Sequence, residues 1–356
     1  MTESYAYYRL PYADTYTAVE SDTPAVELPS YRMVGRDNGF VIAPYNITDS
    51  TPLLLIPAHC VTERQLTSAD GQHRKLAADG DDGETSLTPS DCYAGAFAHF
   101  HNAVAEGDYA KLVLARQKAV RLNDDADPLM LFERACRLFP RLMVMLFHTA
   151  ASGTWLVASP EILVEEHHSC FHTVALAGTM PFCGGVPEWS EKNKREQRVV
   201  EEYIHDTIRP LAGDIITDGP FTMRAGNLVH LRTDFRFHIS GSNACCTTEE
   251  AGAEALGTVV DALHPTPAVC GLPKAEAMLF IARHEGIRRD YYSGFAGPVG
   301  INGETHLYVS LRCARLEGRT MTFFAGGGIM PESRCEEEWM ETEAKIKTIA
   351  HVLQYP

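Results

Sequence analysis

The stretch Leu228-Val-His-Leu-Arg-Thr-Asp-Phe-Arg-Phe-His-Ile239 alternates without a break. Val229, Leu231, Thr233, Phe235, Phe237 and Ile239 fall on one face; His230, Arg232, Asp234, Arg236 and His238 fall on the other. A period of two with one polar face predicts an antiparallel strand covered on one side only. Working outward, 319–325 and 306–316 read as a hairpin turning through Glu317-Gly318. Further strands are predicted at 142–148, 154–158 and 170–176. Lys111-Leu-Val-Leu-Ala-Arg116 is apolar on both faces and hence a short buried strand.

Helices are interspersed. Ser90 or Asp91 can cap a helix whose Tyr93, Phe97, Phe100 and Val104 recur at helical spacing, with Gly107 after its end. Others are predicted over 128–139, 190–208, 273–284 and 335–353. The alternation is irregular, with no βαβ period and no Pro-, Gly- or Ser-rich linker. The expected fold class is therefore α+β, a large single domain built on antiparallel sheets. Residues 1–89 are expected to be its strand-rich N-terminal part, with 39–45 and 51–57 as short strands cut by prolines. The acidic segment 77–86 reads as a surface loop.

Composition narrows the function. The 356 residues carry 47 acidic against 31 basic side chains, a formal net charge of −16. That balance argues against general binding to nucleic acid or anionic membranes. The ten cysteines include no C-x-x-C pair, and only Cys245 and Cys246 are neighbours. Zinc ribbons and dithiol redox motifs are thereby disfavoured. No run approaches the length of a membrane span, and the start lacks a signal-peptide pattern, so a cytoplasmic location is expected.

Several polar residues sit where packing prefers apolar ones. Lys111 opens a buried strand, and Glu196 lies on the stripe of Val199, Val200 and Tyr203. Glu338, Glu341 and Lys345 share one helix face at i, i+3, i+7. Buried charges require partners, a metal or a role. The glutamate–lysine face suits a magnesium ion, Mg2+, beside an anionic ligand, and equally a surface ion-pair ladder. Phe324-Ala-Gly-Gly-Gly-Ile-Met330 lacks the G-x-G-x-x-G spacing and is followed by Pro331, which disfavours dinucleotide binding. Its glycines fit either a tight turn or a close backbone approach to a carboxylate. Glu165-Glu-His-His168 reads as turn polarity rather than a zinc motif.

Taken in order, nine segments resemble the chorismate-utilising enzymes, isochorismate synthases in particular. They are the 111–116 segment, Ser159-Pro-Glu-Ile-Leu, Ala175-Leu-Ala-Gly-Thr, Ser190-Glu-Lys-Asn-Lys-Arg-Glu, Leu263-His-Pro-Thr-Pro-Ala-Val-Cys-Gly, Tyr292-Ser-Gly-Phe-Ala-Gly, Val309-Ser-Leu-Arg-Cys-Ala, Phe324-Ala-Gly-Gly-Gly-Ile and Glu338-Trp-Met-Glu-Thr-Glu-Ala-Lys. They span roughly 90–354, the expected chorismate-binding catalytic region (90–356). The resemblance implies antiparallel sheets packed as a sandwich with helices outside. It also implies a magnesium-dependent isomerase that adds water at C2 of chorismate while the C4 hydroxyl departs.

By the same resemblance, Lys111 is the general base and Glu161 the general acid. A lysine serves as a base near neutrality only where burial or a cation favours its neutral form, and a carboxyl donates only where burial keeps it protonated. Glu196 and Glu341, with Glu338, are the implied metal ligands. Gly178, Thr179, His264, Arg312, Lys345 and the amides of Gly326, Gly327 and Gly328 are the implied substrate-binding groups. Lysine at 111 argues for water over ammonia as nucleophile, and His264-Pro-Thr-Pro-Ala for isochorismate rather than salicylate synthesis. A salicylate synthase and a weakly active chorismate-binding relative are the alternatives. The implied enzyme is a stand-alone monomer without an amidotransferase subunit, of the menaquinone or siderophore type. The chain departs from the pattern in a short 180–189 segment and in Gln197, where the family usually has histidine.

Overall fold

A computed structural model of the chain describes residues 3–66, 76, 87–182, 184–240 and 249–354. The acidic segment 77–86 and the Cys245-Cys246 neighbours lie outside the described residues. Two nine-stranded sheets form the frame, and every pairing between their strands is antiparallel.

The first sheet runs Gly271–Leu272, Lys111–Arg121, Thr320–Ile329, Cys313–Glu317, Gly153–Ser159, Met143–Thr149, Ser4–Arg9, Thr15–Ser21, Cys60–Gln65. The second runs Ala212–Ala225, Leu228–Ile239, Cys170–Pro181, Ile162–His167, Glu304–Val309, Phe295–Val299, Gly39–Ala43, Leu53–Pro57, Val26–Leu28. The strands of residues 1–89 thus complete one end of each sheet.

Apolar residues of both sheets form one shared cluster that includes Tyr8, Phe40, Trp155, Leu176, Tyr308 and Phe324. This is the interior of a sandwich. Helices cover the outer faces. Pro128–Leu138 and the C-terminal part of Cys335–Ala350 pack on the first sheet, while Glu191–Ile208 and Glu249–Leu263 pack on the second. Capping follows sequence chemistry: Ser90, Asp127 and Ser190 each accept a bond from an N–H in the first turn of their helix.

Four expectations are corrected. The segment 306–316 is not one strand. Glu304–Val309 belongs to the second sheet and Cys313–Glu317 to the first, with a corner at which Arg312 adopts φ +46°. No glycine or proline marks that corner, so the alternation of Leu307, Val309, Leu311 and Cys313 conceals it. The triple glycine is neither loop nor turn; it lies within Thr320–Ile329, with Gly326, Gly327 and Gly328 opposite Ala115, Leu114 and Val113. Glu165, Glu166 and His167 end the strand Ile162–His167, and the turn begins only at His168. Finally, Leu228–Ile239 is buried on both faces over its first half, where His230, on its polar face, borders an interior cavity.

Candidate active site

A cavity of about 650 Å3, its mouth included, opens beside the start of Lys111–Arg121. Lys111, Glu161, Gly178, Thr179, Glu196, Arg312, Gly326, Gly328 and Lys345 all line it. Apolar walls come from Val113, Leu176, Val269, Tyr292 and Phe324. An apolar cleft with few convergent charged groups is the usual form of a small-molecule site.

Lys111 is only 1% exposed, and its Nζ lies 2.8 Å from Glu196 Oε1. The other oxygen of Glu196 accepts from the Gly178 N–H at 3.2 Å. Burial pushes the Glu196 carboxyl up, but Lys111, with Lys192 and Lys345, more than offsets it and leaves the group below its ordinary value. Glu161 behaves in the opposite way. Burial pushes it up to about 8, with Lys111, the Thr266 hydroxyl and Lys345 only partly countering. It therefore holds its proton at neutral pH.

Arg312 is buried at the sheet corner. Its Nη1 donates to the Ala225 carbonyl at 3.0 Å and its Nη2 to His230 Nε2 at 2.6 Å. Burial lowers its pKa to about 10, so it remains a cation. Since His230 Nε2 accepts, the neutral imidazole carries its proton on Nδ1, 3.1 Å from the Gly178 carbonyl. Burial and the Arg312 charge hold His230 well below the ordinary histidine range. His230 was not singled out by sequence. The signal was its place on the polar face of an unbroken strand beside Arg232 and Asp234, a face whose alternation suggests exposure to water.

Lys345 Nζ donates to the Gly326 carbonyl at 2.8 Å and to Glu341 Oε1 at 2.7 Å. Behind them, Glu338 accepts from Ser333 Oγ at 2.6 Å and pairs with Lys192. Its Oε2 is buried without a hydrogen-bond partner. Burial, then the charge of Glu341, pushes Glu338 up to about 7. The glycines make room for these carboxylates. A Cβ on Gly327 would lie 3.0 Å from Glu338 Oε2 and 3.5 Å from Glu341 Oε1, and one on Gly328 would overlap Glu196 Oε1. Among the described residues, however, no three His, Cys, Asp or Glu side chains stand close enough to form a metal cage by themselves.

His264 is placed differently from the expectation for it. It does not line the cavity. Its ring meets Tyr31 and Phe295 edge-on, and its Nε2 lies 3.3 Å from the Tyr45 carbonyl. Burial, then the Lys274 charge, brings it down to about 3. The neighbour that does reach the site is Thr266, whose hydroxyl lies 3.5 Å from Glu161 Oε1.

This fold and cavity carry the marks of one family. The family model described as "Chorismate binding enzyme" matches residues 23–354, and the chain belongs to that family. It is 30% identical over 262 residues to isochorismate synthase MenF of Escherichia coli (strain K12), a match covering 70% of this chain and 57% of the relative. The salicylate biosynthesis isochorismate synthase of Pseudomonas aeruginosa is 28% identical over 311 residues, covering 85% of this chain and 63% of the relative. The chain thus spans about three fifths of the length of these curated relatives. Among solved structures, that of MenF, the menaquinone-specific isochorismate synthase from Escherichia coli, superposes with a TM-score of 0.78 at 21% identity. That match covers 99% of this chain and 89% of the other. The sandwich architecture is common to both.

Proposed function

We propose that the chain is an isochorismate synthase, an isomerase that adds a water-derived hydroxyl at C2 of chorismate while the C4 hydroxyl departs. The observation that carries this reading is that Glu161 and Lys111, both buried, line the walls of one cavity, where burial pushes the Glu161 carboxyl up to about 8. In the ion pair with Glu196 the Lys111 ammonium cannot accept a proton; once it has given its proton to solvent, the neutral amine takes a proton from water as the water oxygen bonds to C2. The ring double bonds shift, the C4–O bond breaks, and Glu161 gives its proton to the departing hydroxyl, which leaves as water. Water consumed equals water released. Arg312, its guanidinium fixed by His230 and Ala225, is suited to grip a carboxylate of the substrate, with Lys345 as a second cation.

The residues also fit a magnesium ion. The partnerless oxygen of Glu338, its raised pKa beside Glu341, and the space left by Gly327 and Gly328 all favour added positive charge near Glu196, Glu338 and Glu341. One or two of those carboxylates would hold the ion directly, with water and substrate completing its shell, as Mg2+ prefers. Bound there, it would neutralise a substrate carboxylate.

The test is incubation of the purified protein with chorismate and Mg2+ in 18O-labelled water, without ammonia, followed by chromatography and mass spectrometry. A product two mass units heavier than chorismate supports the reading. Unlabelled product or no consumption overturns it, and salicylate with pyruvate in equal amounts would replace it with salicylate synthesis.

A further inference from the structure

The strand Cys170–Pro181 changes register against Leu228–Ile239 at one point: Ala177 opposes Leu231 and Thr179 opposes His230, so Gly178 is an extra residue. It adopts φ +67°, and a Cβ there would press on Asn193 at 3.2 Å. A bulge of this kind removes backbone groups from the ladder and re-aims the neighbouring side chains. Here it turns Gly178 and Thr179 into the cavity.

Backbone groups at and beside the bulge are met by side chains from two consecutive residues of the helix Glu191–Ile208. Gly178 N–H donates to Glu196, and Ala177 N–H donates to Gln197 Oε1 at 2.9 Å. Gln197 Nε2 in turn donates to the Ala175 carbonyl and to Thr233 Oγ1, each at 3.2 Å. The Thr233 hydroxyl donates to Glu201 Oε2 at 3.0 Å. Gln197 is 2% exposed and does not line the cavity, so it touches no substrate.

We propose that Gln197 is a positioning residue: its buried amide clamps the Gly178 bulge and so fixes Glu196 and Thr179 on the cavity wall. The inference rests on the proposed chorismate chemistry for its effect on turnover, but the clamp itself is independent of it. An amide suits the task because one planar group offers an acceptor and a donor to the N–H of 177 and the carbonyl of 175. Without it, both backbone groups would be buried unpaired. The bulge would then relax, and displacements near 1 Å at a reacting site cost about 100-fold in rate.

The decisive variant is Gln197→Met, which keeps the volume and removes every hydrogen bond. Amide hydrogen exchange of the ligand-free protein gives a readout that needs no activity. Exchange at Ala177 and Gly178 should quicken by at least about ten-fold, with protection over 199–208 kept by the packing of Val200, Ile204 and Ile208. In turnover, kcat should fall about 30-fold or more while KM stays within about three-fold, since Arg312 and Lys345 are untouched. Gln197→His, which retains one donor and one acceptor, should recover most of both. Unchanged exchange in Gln197→Met overturns the proposal, as does protection lost uniformly along helix and strand, which would mark a merely structural role. If the wild-type protein leaves chorismate untouched, the functional reading fails, yet the exchange result still decides the clamp.

Discussion

Lys111 Nζ and Glu196 Oε1 meet at 2.8 Å, and Gly328 on the neighbouring strand stands against both. The pair answers why two charges occupy apolar stripes: each is the other's partner. A Cβ at 328 would overlap Glu196 Oε1 and lie 2.6 Å from Lys111 Cε. The backbone there is ordinary strand, so Gly328→Ala should fold, losing about 1–3 kcal/mol to overpacking. Chorismate turnover should fall about 100-fold or more as the pair is displaced. Urea unfolding and initial rates measure the two effects; wild-type turnover would separate the pair from the chemistry.

Glu161 supplies a pH signature. Its carboxyl, pushed up to about 8 from 4.5, holds a proton in the folded chain that the unfolded chain releases above 4.5. Stability contributed by this group therefore declines as pH rises from 4.5 to 8. Glu161→Gln removes that slope, so its Tm should gain on the wild type between pH 5 and pH 8. In its proposed role of proton donor, Glu161 should support turnover below about 8 and lose it above. Glu161→Gln should cost about 100- to 10,000-fold below about pH 8, and less above it, where the wild type has lost the proton too. A variant with wild-type turnover would exclude Glu161 as the acid.

Much of the fold is legible in local signals. Strict alternation over 228–239 and the helical stripes of 91–105 and 191–208 are of that kind, and the structure places those elements at or next to the predicted bounds. The sheet corner at Arg312 was not legible, since a side chain at φ +46° leaves no glycine or proline to mark it. The strand Ala212–Ala225 also escaped, because it is a mostly exposed edge without an apolar alternation. His230 was hidden for the converse reason: its polar face is buried by elements distant in sequence. His264, by contrast, carries a motif whose ring the fold keeps inside the core.

A ladder of histidines and carboxylates on the second sheet predicts a second pH dependence. Glu165 lies 3.0 Å from His172 Nδ1 and 3.1 Å from His306 Nδ1, and it accepts from the Tyr308 hydroxyl at 2.8 Å. His172 Nε2 is 2.6 Å from Asp234, which Arg232 also grips, and His306 Nε2 is 3.1 Å from Glu304. Burial would lower both histidines, but the flanking carboxylates reverse that and raise them; burial would raise Glu165 and Asp234, yet their partners bring both down. The histidine contribution is complete below about 6.5 and fades as pH climbs through the raised values; the carboxylate contribution is complete above about 4.5 and fades on acidification. Thermal stability should therefore peak at mildly acidic pH. His172→Gln should flatten the decline between pH 6 and pH 9; an unaltered Tm profile would rule the ladder out.

Behind the cavity wall, an ion pair does the work of a missing strand. Gly271–Leu272 pairs with Lys111–Arg121 only at its first two residues. Beyond them, Arg289 donates to the carbonyls of Val113 and Val269 at 2.8 and 2.6 Å, and Glu285 Oε1 accepts from the Ala115 N–H at 2.7 Å. Arg289 and Glu285 are joined by two bonds, at 2.5 and 2.7 Å, and both are buried. Arg289→Met should cost about 3–5 kcal/mol by leaving the Glu285 charge buried and alone. Replacing both, as Arg289→Met with Glu285→Leu, removes that charge but still orphans three backbone groups worth about 1–3 kcal/mol each. Urea unfolding should therefore find the double variant less stable than the wild type, whereas many buried ion pairs are replaceable by apolar residues at no loss. Full recovery of stability would mean that the first sheet holds Val113 and Ala115 without the pair.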